Sequence, residues 1–515
     1  MSEATGDLIT RVYSNFRGVD FRGDEINLVR SPDSLNVWKD YKEIESIRTR
    51  PGMEKVINLS NPVYGIFFYK DKMLAHVGDS LGELSGNTEE VYFTPLCNGL
   101  EETVSYGFVF EDVFYFKNGK HYMQYDGMGM QEVEGYVPTT SIGRKPSGGG
   151  TIYEDVNMLT RKRINTFVGD NASVDYFLDA QNIDSDFYSQ VKVTVNGETV
   201  SGFTVDHKAG KVTFTKAPET PKTDGQDNVS IEFCKTVDGY RDTILKCSLV
   251  TVFDNRVFVS GNPDWPNYVY HCSLNDPTYF SDLDYYKEGI DDAKVKGMVA
   301  GNNALWVFRE PTVEGTTVFY HTPTIDDEYG KIYPSTHSSA SIGCVGKAVN
   351  FNDDIVFFST RGMEGISGDV TTEQAVAHRS CLVDRRMTAE NGYANMVLAE
   401  WEGYLLVFIG NKAYLADSRA MFTVDNHAEY EWFYWEMEKP INYATTKDGI
   451  LYLATDDGIY TLTDNTCDLE SYWTTPKDKF KYPHMQKTTN KRGCVAEATG
   501  DITVYAKTEK TAFSR

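Results

Sequence analysis

The chain has 515 residues and a formal net charge of -25, because 75 acidic side chains outnumber 50 basic ones. This imbalance argues against a protein that wraps a nucleic acid backbone, since such proteins use an excess of Lys and Arg. Apolar residues make up 41% of the chain, with 33 Tyr and 28 Phe, a composition that favours a large core built from strands.

The N-terminal stretch MSEATGDLIT has no basic segment followed by an apolar run, so we expect no secretory signal. No apolar run approaches the roughly 18 residues of a transmembrane helix. The eight cysteines show no C-x-x-C spacing and no accompanying His cluster. This pattern is typical of reduced thiols in a cytoplasm, and we expect no disulfide framework, metal site or cofactor.

Residues 1–53 are interpreted as an N-terminal leader. The stretch SPDSLNVW begins with a turn signal, KDYKEIESIRTR alternates in charge, and Arg50-Pro51-Gly52 turns the chain. We expect an exposed basic element that docks onto an acidic neighbour. We expect deletion of residues 15–53 to leave a folded protein that no longer joins its partner. The alternative is that the same residues cover an edge strand. The binding residues predicted in this element are Trp38, Tyr41, Arg48 and Arg50.

A strand–turn–strand unit then recurs along the chain, for example in VTVFDNRVFVSG and AVNFNDDIVFFSTRG. With one gap, successive units lie roughly 40 to 50 residues apart, the period of a four-stranded propeller blade. Polar residues that tolerate a positive φ occupy the first turn of each unit. These turn residues are Asp71, Asp112, Asp254, Asn303, Asp353, Glu402 and Asp448.

The repeat predicts an all-β fold, a β-propeller of about seven blades with six to eight as the range, over residues 54–145 and 241–470. Either LITRVYSNF near the N-terminus or DITVYAKTE near the C-terminus is a candidate for a strand that closes the last blade. Residues 471–515 are interpreted as an incomplete C-terminal β segment. The alternative is a row of independent β-sandwich domains.

The gap between Asp112 and Asp254 predicts an inserted β-sandwich domain at residues 146–240. It begins with the Gly-rich run SIGRKPSGGG, interpreted as a linker, and continues with short alternating strands joined by hairpin signals. Two interpretations stay open: a surface that meets another molecule, or a spacer between subunits. We expect residues 151–238 to fold alone.

Several stretches are candidates for calcium binding, sugar binding or hydrolysis. The acidic runs NIDSD and TIDDEYG lack the spacing of a calcium loop and are interpreted as solvated loops. EYEWFYWEMEK is interpreted as a strand buried on both faces, with a sugar-stacking platform as the alternative. A propeller hydrolase would need two carboxylates at a set separation, and the sequence nominates no such pair. We therefore expect a protein that is not an enzyme.

The leader and the repeat together resemble the tail structural propellers of tailed bacteriophages, the hub, nozzle or stabilisation proteins. Those chains commonly open with S-P-D/E-x-L-N-V, a charged strand and R-x-R-P-G. The closing YWTTPKDKFKYPH is also similar to the family, although the final β region looks shorter. The matching residues are Ser31, Pro32, Asp33, Leu35, Asn36, Val37, Arg48, Arg50, Pro51 and Gly52.

The resemblance implies a virion protein, made in the host cytoplasm, that forms a hexameric ring around the tail channel. Such a ring would help to retain the genome and pass DNA at ejection without binding it specifically. Other tail or adaptor proteins would be its partners, and the inserted domain would offer a contact with the host surface. The alternatives are a receptor-binding tail-tip adhesin and a propeller enzyme that degrades glycans.

Overall fold

The structure is a computed structural model whose described residues fall into two compact units. Residues 13–475 form the larger unit. Residues 1–12 and 476–515 form the smaller one, in which Arg11 pairs with Asp478 at 2.9 Å. The described residues are 10–23, 27–41, 46–223, 225–313, 315–327, 330–338, 340–366, 375–424, 427–464, 469–478, 498 and 501–505.

Seven four-stranded antiparallel sheets make up most of the larger unit, and we call them blades 1 to 7 in chain order. Blades 1 to 3 are formed by Val63–Tyr69, Lys72–Val77, Ser80–Gly86 and Val91–Asn98; by Tyr106–Phe110, Val113–Lys117, Tyr122–Tyr125 and Met130–Glu132; and by Leu249–Phe253, Arg256–Ser260, Tyr268–His271 and Tyr285–Lys287. Blades 4 to 6 are formed by Val295–Gly301, Ala304–Arg309, Val318–His321 and Ser335–His337; by Ala348–Phe351, Asp354–Ser359, Gly362–Ile366 and Val376–His378; and by Val397–Trp401, Tyr404–Ile409, Lys412–Val424 and His427–Glu436. Blade 7 is formed by Tyr443–Lys447, Ile450–Thr455, Gly458–Thr463 and Gly52–Asn58.

The first turn of each blade follows the polar residues that the sequence singled out. Six of the seven predicted turn residues adopt a positive φ, which a tight two-residue hairpin turn requires. In blade 1 the residue with positive φ is Lys70, next to the predicted Asp71. The six confirmed residues are Asp112, Asp254, Asn303, Asp353, Glu402 and Asp448.

The blades close into a ring because each one shares an apolar core with the next, and blade 7 shares one with blade 1. The first strands of neighbouring blades contact each other, so these strands line the central axis. The fold is therefore a seven-bladed β-propeller, as the repeat predicted. Pairs that face each other within the seven cores are Phe67 and Phe114, Tyr122 and Phe280, Phe258 and Tyr333, Phe308 and Phe357, Phe351 and Tyr430, Leu406 and Leu453, and Tyr452 and Phe68.

The ring is closed by a strand from the N-terminal side. Gly52–Asn58 pairs antiparallel with Gly458–Thr463 and completes blade 7. Both strands proposed for this role were wrong: within the described residues, neither 10–16 nor 501–505 is a strand. The closing strand starts directly after Arg50-Pro51, so the turn that ends the leader also sets the position where blade 7 receives its fourth strand.

The inserted domain is a sandwich of two sheets between blades 2 and 3. The larger sheet has the strand order Thr151–Ile152, Thr139–Arg144, Lys162–Phe167, Val229–Cys234, Lys192–Val195 and Glu198–Val200. The smaller one has the order Asp175–Phe177, Lys211–Phe214 and Phe203–Asp206. Their facing side chains, including Phe167, Tyr176, Val193 and Ile231, form a separate apolar core.

The start of this domain differs from the prediction. Its sheet begins at Thr139, before the expected boundary at residue 146. The Gly-rich run is not a linker: it is the loop of a hairpin, because Ser141 and Ile142 pair with Ile152 and Thr151. Gly150 has φ +98°, and a Cβ there would lie 2.5 Å from Arg144 Cγ, so the close return of the backbone explains the glycine.

The remaining elements are short. The leader contributes Ser34–Leu35, which pairs with Tyr472–Trp473, and Val37–Trp38, which pairs with Arg48–Thr49. A small hairpin, Thr324–Asp326 and Gly330–Ile332, extends blade 4. Helices form at Tyr240–Leu245 and Asp384–Met387, with a 3-10 turn at Tyr393–Asn395. Most of the C-terminal β segment expected at 471–515 lies outside the described residues.

The sequence led us to expect no transmembrane helix and no disulfide framework, and the described residues bear on both expectations. None of the helices there has the length and apolar character needed to cross a membrane. The six cysteines in the described ranges are all free thiols, and four of them are buried: Cys234, Cys247, Cys272 and Cys344. Cys467 and Cys494 lie outside the described residues.

Candidate functional site

The leader runs along the outer edge of blade 6. The edge strand His427–Glu436 would otherwise present unpaired backbone groups to solvent. The Val19 amide donates to the Trp432 carbonyl at 2.7 Å, and the Asn36 amide donates to the Tyr434 carbonyl at 3.1 Å. Because the leader covers this strand, Trp432 and Trp435 are fully buried. The prediction that EYEWFYWEMEK is a strand buried on both faces is confirmed.

Two of the four predicted docking residues are buried. Trp38 is 5% exposed and its ring lies 5.2 Å from that of Trp401, with Trp435 at 6.0 Å. Arg50 is 3% exposed and donates to the Glu436 carbonyl at 2.7 Å and to the Glu438 carboxylate at 3.0 Å. The expectation of an exposed basic element is therefore wrong for these two residues, because blade 6 supplies their partners. The alternative, in which they cover an edge strand, is confirmed.

The other two residues keep partial exposure. The Tyr41 hydroxyl donates to the Asp417 carboxylate, and the Arg419 guanidinium lies 3.8 Å above its ring. Burial and the neighbouring carboxylate raise the pKa of Tyr41. Arg48 donates to Asp40 at 2.9 Å and pairs with Asp464 at 3.1 Å. All four predicted residues thus lie along one seam, formed by the leader with blades 6 and 7.

Asn36 is the centre of this seam, and the sequence assigned it no role of its own. Its side-chain oxygen accepts from the Glu436 amide at 2.8 Å and from Arg50 Nε at 3.0 Å. Its side-chain amide donates to the Glu470 carbonyl at 3.0 Å. One buried side chain therefore joins the leader, blade 6 and the segment that follows blade 7. Its φ is 54°, a value that Asn tolerates better than most residues. The residue type, Asn, is therefore the signal in the sequence that could have marked this position.

Gly18 and Arg30 are two further seam residues that the sequence did not identify. Gly18 has φ +82°, and a Cβ there would lie 2.0 Å from the Trp432 carbonyl oxygen. Arg30 makes two hydrogen bonds to the Glu431 carboxylate, at 3.0 and 2.7 Å, and its guanidinium lies 4.2 Å from the Phe422 ring centre. The glycine in NFRGVD was the available signal, because close backbone approach requires Gly.

The chain beyond blade 7 returns to the same seam. Leu35 pairs with Tyr472 and Ser34 with Trp473. The Trp473 ring also packs edge-on against Phe16, with ring centres 5.1 Å apart. Both chain segments that flank the propeller are therefore fastened to the side of blade 6.

A polar cluster in blades 3 and 4, in which Glu288 and His321 are buried and Ser335 is exposed, has the composition of a catalytic triad but not its geometry. The Glu288 carboxylate lies between His321 Nε2, at 2.8 Å, and the Ser335 hydroxyl, at 2.6 Å. His321 Nδ1 bonds to the Tyr333 carbonyl at 2.8 Å. Both ring nitrogens of His321 are occupied, so the ring cannot accept a proton from Ser335 in this arrangement. The cluster joins two blades.

A second cluster lies in blade 5. His378 Nδ1 is 3.3 Å from the Glu364 carboxylate, and Nε2 is 2.5 Å from the Asp384 carboxylate. Burial would lower the pKa of His378, but the hydrogen bonds to Asp384 and Glu364 outweigh it and raise the pKa to about 10. The imidazolium is therefore held between two carboxylates, which suits a structural ion pair better than a proton-transfer group near neutral pH.

The two acidic runs that were weighed against a calcium site, and interpreted as solvated loops, are NIDSD and TIDDEYG. In NIDSD, Asp186 pairs with Arg161 at 2.6 Å, and Asp184 accepts from the Thr236 hydroxyl at 2.6 Å. In TIDDEYG, residues 328–329 lie outside the described residues. Across the described ranges, no three or more His, Cys, Asp or Glu side chains are grouped so that they could hold a metal ion.

A loop of the inserted domain presents an aromatic pair to solvent. Phe187 and Tyr188 are 79% and 80% exposed, and their rings meet edge-on with centres 5.3 Å apart. Asp186 shapes this loop by accepting from the Tyr188 amide at 2.9 Å and from the Ser189 hydroxyl at 2.6 Å. The pair is thus held outward by a defined turn.

A concave feature lies on the propeller axis, and we call it the axial pocket. Its volume is about 700 Å³, and it takes lining residues from all seven blades, from Tyr64 in blade 1 to Asn442 before the first strand of blade 7. Most of its walls are residues at the starts of the innermost strands. A cavity of this size and position can hold a small ligand or a short peptide segment.

Comparisons with known proteins bear on the fold alone. No family model matches the chain, and no curated protein matches it. Among solved structures, it is similar to BamB from Moraxella catarrhalis, with 11% identity, 81% of this chain and 99% of that chain covered, and a TM-score of 0.35. It is also similar to YCF48 bound to a D1 peptide, with 7% identity, coverage of 82% and 98%, and a TM-score of 0.37. These low TM-scores add nothing to the seven sheets and seven shared cores, which establish the propeller by themselves.

Proposed function

We propose that this chain is a non-enzymatic structural subunit of a phage tail, a hub or nozzle protein that forms a ring around the tail channel. The observation that carries the proposal is the role of the leader motif. Residues that match the tail-propeller pattern, Asn36 and Arg50 above all, hold the leader, blade 6 and the segment after blade 7 together. The resemblance therefore concerns residues with a shared structural task.

The polar clusters favour a structural role over an enzymatic one. The His, Glu and Ser side chains of the Glu288 cluster bond to one another and to the backbone, and the carboxylates around His378 form ion pairs. Side chains whose polar atoms already form these hydrogen bonds and ion pairs stabilise the blades rather than bind a substrate. A fastened propeller of this kind suits a part that must carry load without changing shape.

The test is electron microscopy and native mass measurement of the purified protein over a range of concentrations. We expect closed rings, with six copies as the number implied by the resemblance. The Trp38→Ala variant loosens the leader seam and serves to ask whether the seam supports ring formation. A protein that stays monomeric at the highest concentration, alone and with its tail neighbours, would contradict the proposal.

A second candidate function is a receptor-binding adhesin that uses the inserted domain. The exposed Phe187 and Tyr188 pair favours it, because aromatic side chains held outward are typical of binding surfaces. The test compares the retention of wild-type protein and of the double variant Phe187→Ser and Tyr188→Ser on whole bacterial cells. A matched control is Ile325→Ser, an equally exposed apolar residue on blade 4. Loss of retention in the double variant alone is the result expected of an adhesin.

A further inference from the structure

The axial pocket has one basic wall. Lys294 and Lys296 lie at the start of the innermost strand of blade 4, and Lys347 directly precedes that of blade 5. Gly297 and Ala348 bring these strands together, since a Cβ on Gly297 would lie 2.9 Å from that of Ala348. The three lysines therefore lie side by side on adjacent blades.

These lysines lack the carboxylate partners that the buried side chains of Arg309 and Arg379 have. Among the described residues, no carboxylate lies within ion-pair distance of the Lys294, Lys296 or Lys347 ammonium groups. Lys347 is half-buried, and burial with no compensating charge lowers its pKa. In a chain of net charge -25, three unpaired cations in one cavity are an unusual concentration of positive charge.

The opposite wall is acidic. Glu102 lies between blades 1 and 2, and Asp456 lies in the second turn of blade 7, so both flank blade 1. They are close to Tyr64 of that blade, whose pKa is raised by burial and by both carboxylates. In a closed ring of seven blades, blade 1 faces blades 4 and 5 across the axis. The pocket thus carries opposite charges on its two sides.

We propose that the axial pocket binds a ligand carboxylate on its basic wall, with Lys296 and Lys347 as the contacting groups. An ammonium group that burial leaves without a partner gains most from an anion that enters the pocket. The walls also include apolar residues such as Leu249 and Ile441, which suit the carbon part of an organic acid.

The acidic wall decides against more highly charged ligands. Glu102 and Asp456 repel a polyphosphate or a nucleic acid strand that would fill the cavity. The basic wall has lysines rather than the Arg forks that hold phosphate through paired hydrogen bonds. The carboxylate can come from an acidic side chain of a partner protein or from a free organic acid, and the experiment separates these sources. This proposal is independent of the assembly into a tail.

The experiment is calorimetric titration of the full chain at low salt with three probes: a short end-blocked peptide that carries a single Glu, free butyrate, and inorganic phosphate. We expect saturable binding of the peptide or of butyrate and none of phosphate. The variants Lys296→Gln and Lys347→Gln should each weaken that binding about tenfold, since each removes one charge-assisted contact. The control Lys192→Gln, on the inserted domain, should bind like the wild type.

Each outcome bears on the proposal. Peptide binding identifies a partner segment as the source, and butyrate binding without peptide binding identifies a free acid; both support the carboxylate site. Phosphate binding of equal strength, the absence of binding for all probes, or equal weakening by Lys192→Gln would overturn it. If Lys347→Gln changes the circular dichroism spectrum, Lys296→Gln, at a less enclosed position, decides the question.

Discussion

The buried side-chain amide of Asn36 holds three segments of the chain together. It satisfies the Glu436 amide, the Arg50 guanidinium and the Glu470 carbonyl, and it does so with a positive φ. A buried polar group that loses its partner keeps the cost of its desolvation. For this reason we expect the Asn36→Ala variant to lose about 2–4 kcal/mol of unfolding free energy, measured by urea denaturation.

The control for this substitution is Asn302→Ala. Asn302 also has a positive φ, of 53°, but it is exposed in the first turn of blade 4. The Asn302→Ala variant should lose only the preference of Asn for a positive φ, which is worth about 1 kcal/mol or less of unfolding free energy. Equal losses in the two variants would mean that the hydrogen bonds of Asn36 contribute little.

His378 predicts a pH dependence of stability. Its hydrogen bonds to Asp384 and Glu364 raise its pKa from the usual 6.5 to about 10 in the folded protein. A raised pKa contributes stability that is fully present below the unfolded value and is lost as the pH rises through the folded value. The contribution should therefore be complete below pH 6.5 and decline toward pH 10.

The measurement compares the wild type with His378→Gln by urea denaturation across that window. The difference in unfolding free energy should shrink by about 2–3 kcal/mol between its two ends, because part of the shift is screened by solvent at this half-buried site. His337→Gln, at an exposed position in blade 4, is the matched control. A difference that stays constant with pH would show that the two carboxylates do not hold a charged imidazole.

For individual residues, the sequence predicted the turn positions well and the surroundings of the candidate site residues poorly. Asp254 and Asp353 were found because a tight turn constrains φ locally, and few residue types tolerate it. Trp38 and Arg50 were correctly placed together but were expected to be exposed. Their burial depends on Trp435 and Glu436, almost 400 positions away, a distance over which single-sequence patterns carry no information.

Removal of the leader should lower the stability of the propeller. The structure changes our expectation that deletion of residues 15–53 leaves a folded propeller, because that deletion exposes Trp432 and Trp435 and shortens the closing strand. We now expect Trp38→Ala alone to cost about 3–5 kcal/mol of unfolding free energy. The control is Trp265→Ala, at a site that is 48% exposed, which should cost far less.

The tryptophan fluorescence spectrum supplies a second readout for the leader. Deletion of residues 13–51, which spares the closing strand, should shift the emission of the propeller to longer wavelength as blade 6 becomes hydrated. An unshifted spectrum with an unchanged denaturation midpoint would indicate that the leader covers blade 6 only loosely.

The inserted domain gives a prediction about its boundary. Lys162–Phe167 lies between Thr139–Arg144 and Val229–Cys234 in the larger sheet, so a fragment that starts at residue 151 lacks one neighbour of this strand. We expect the fragment 137–236 to melt cooperatively with a β-type circular dichroism spectrum. The fragment 151–236 should melt at least about 5 °C lower or fail to fold. Equal melting temperatures would restore the boundary that the sequence suggested.

The elements themselves were largely predictable and their pairing was not. Alternating apolar strands and hairpin turns are local, and they predicted the blades and the inserted sandwich. The closing strand GMEKVIN has the same local pattern as its neighbours, and only its pairing with Gly458–Thr463 distinguishes it. The loop at Gly148–Gly150 resembles a linker in sequence, because Gly-rich segments serve both as linkers and as tight hairpins.

For the whole molecule, the excess of acidic side chains leads to a prediction about DNA. If the subunits form the proposed ring, part of the net charge of -25 should line its lumen and repel the phosphate backbone during transit. Purified rings should therefore retain no duplex DNA at low salt, where electrostatic attraction is least screened. A basic protein of similar mass is the positive control in the same retention assay.

A structure of the ring supplies the sharper form of this test. The axis-facing residues should be enriched in Asp and Glu relative to the outer wall. A lumen lined by Lys and Arg, or DNA retention comparable to that of the basic control, would contradict the conduit proposal and leave the adhesin as the better candidate.

The closing strand also has a consequence for how the protein is made. Asn58 leaves the ribosome 400 residues before its partner Gly458. At about 5–20 residues per second, the strand waits roughly 20–80 s for that partner, while blades 1 to 6 can form as they are translated. Throughout this interval the nascent chain carries a strand without a sheet to join. Propellers translated side by side on one messenger could exchange these strands, so the pace of translation near the C-terminal end of the gene bears on the yield of correctly closed monomers.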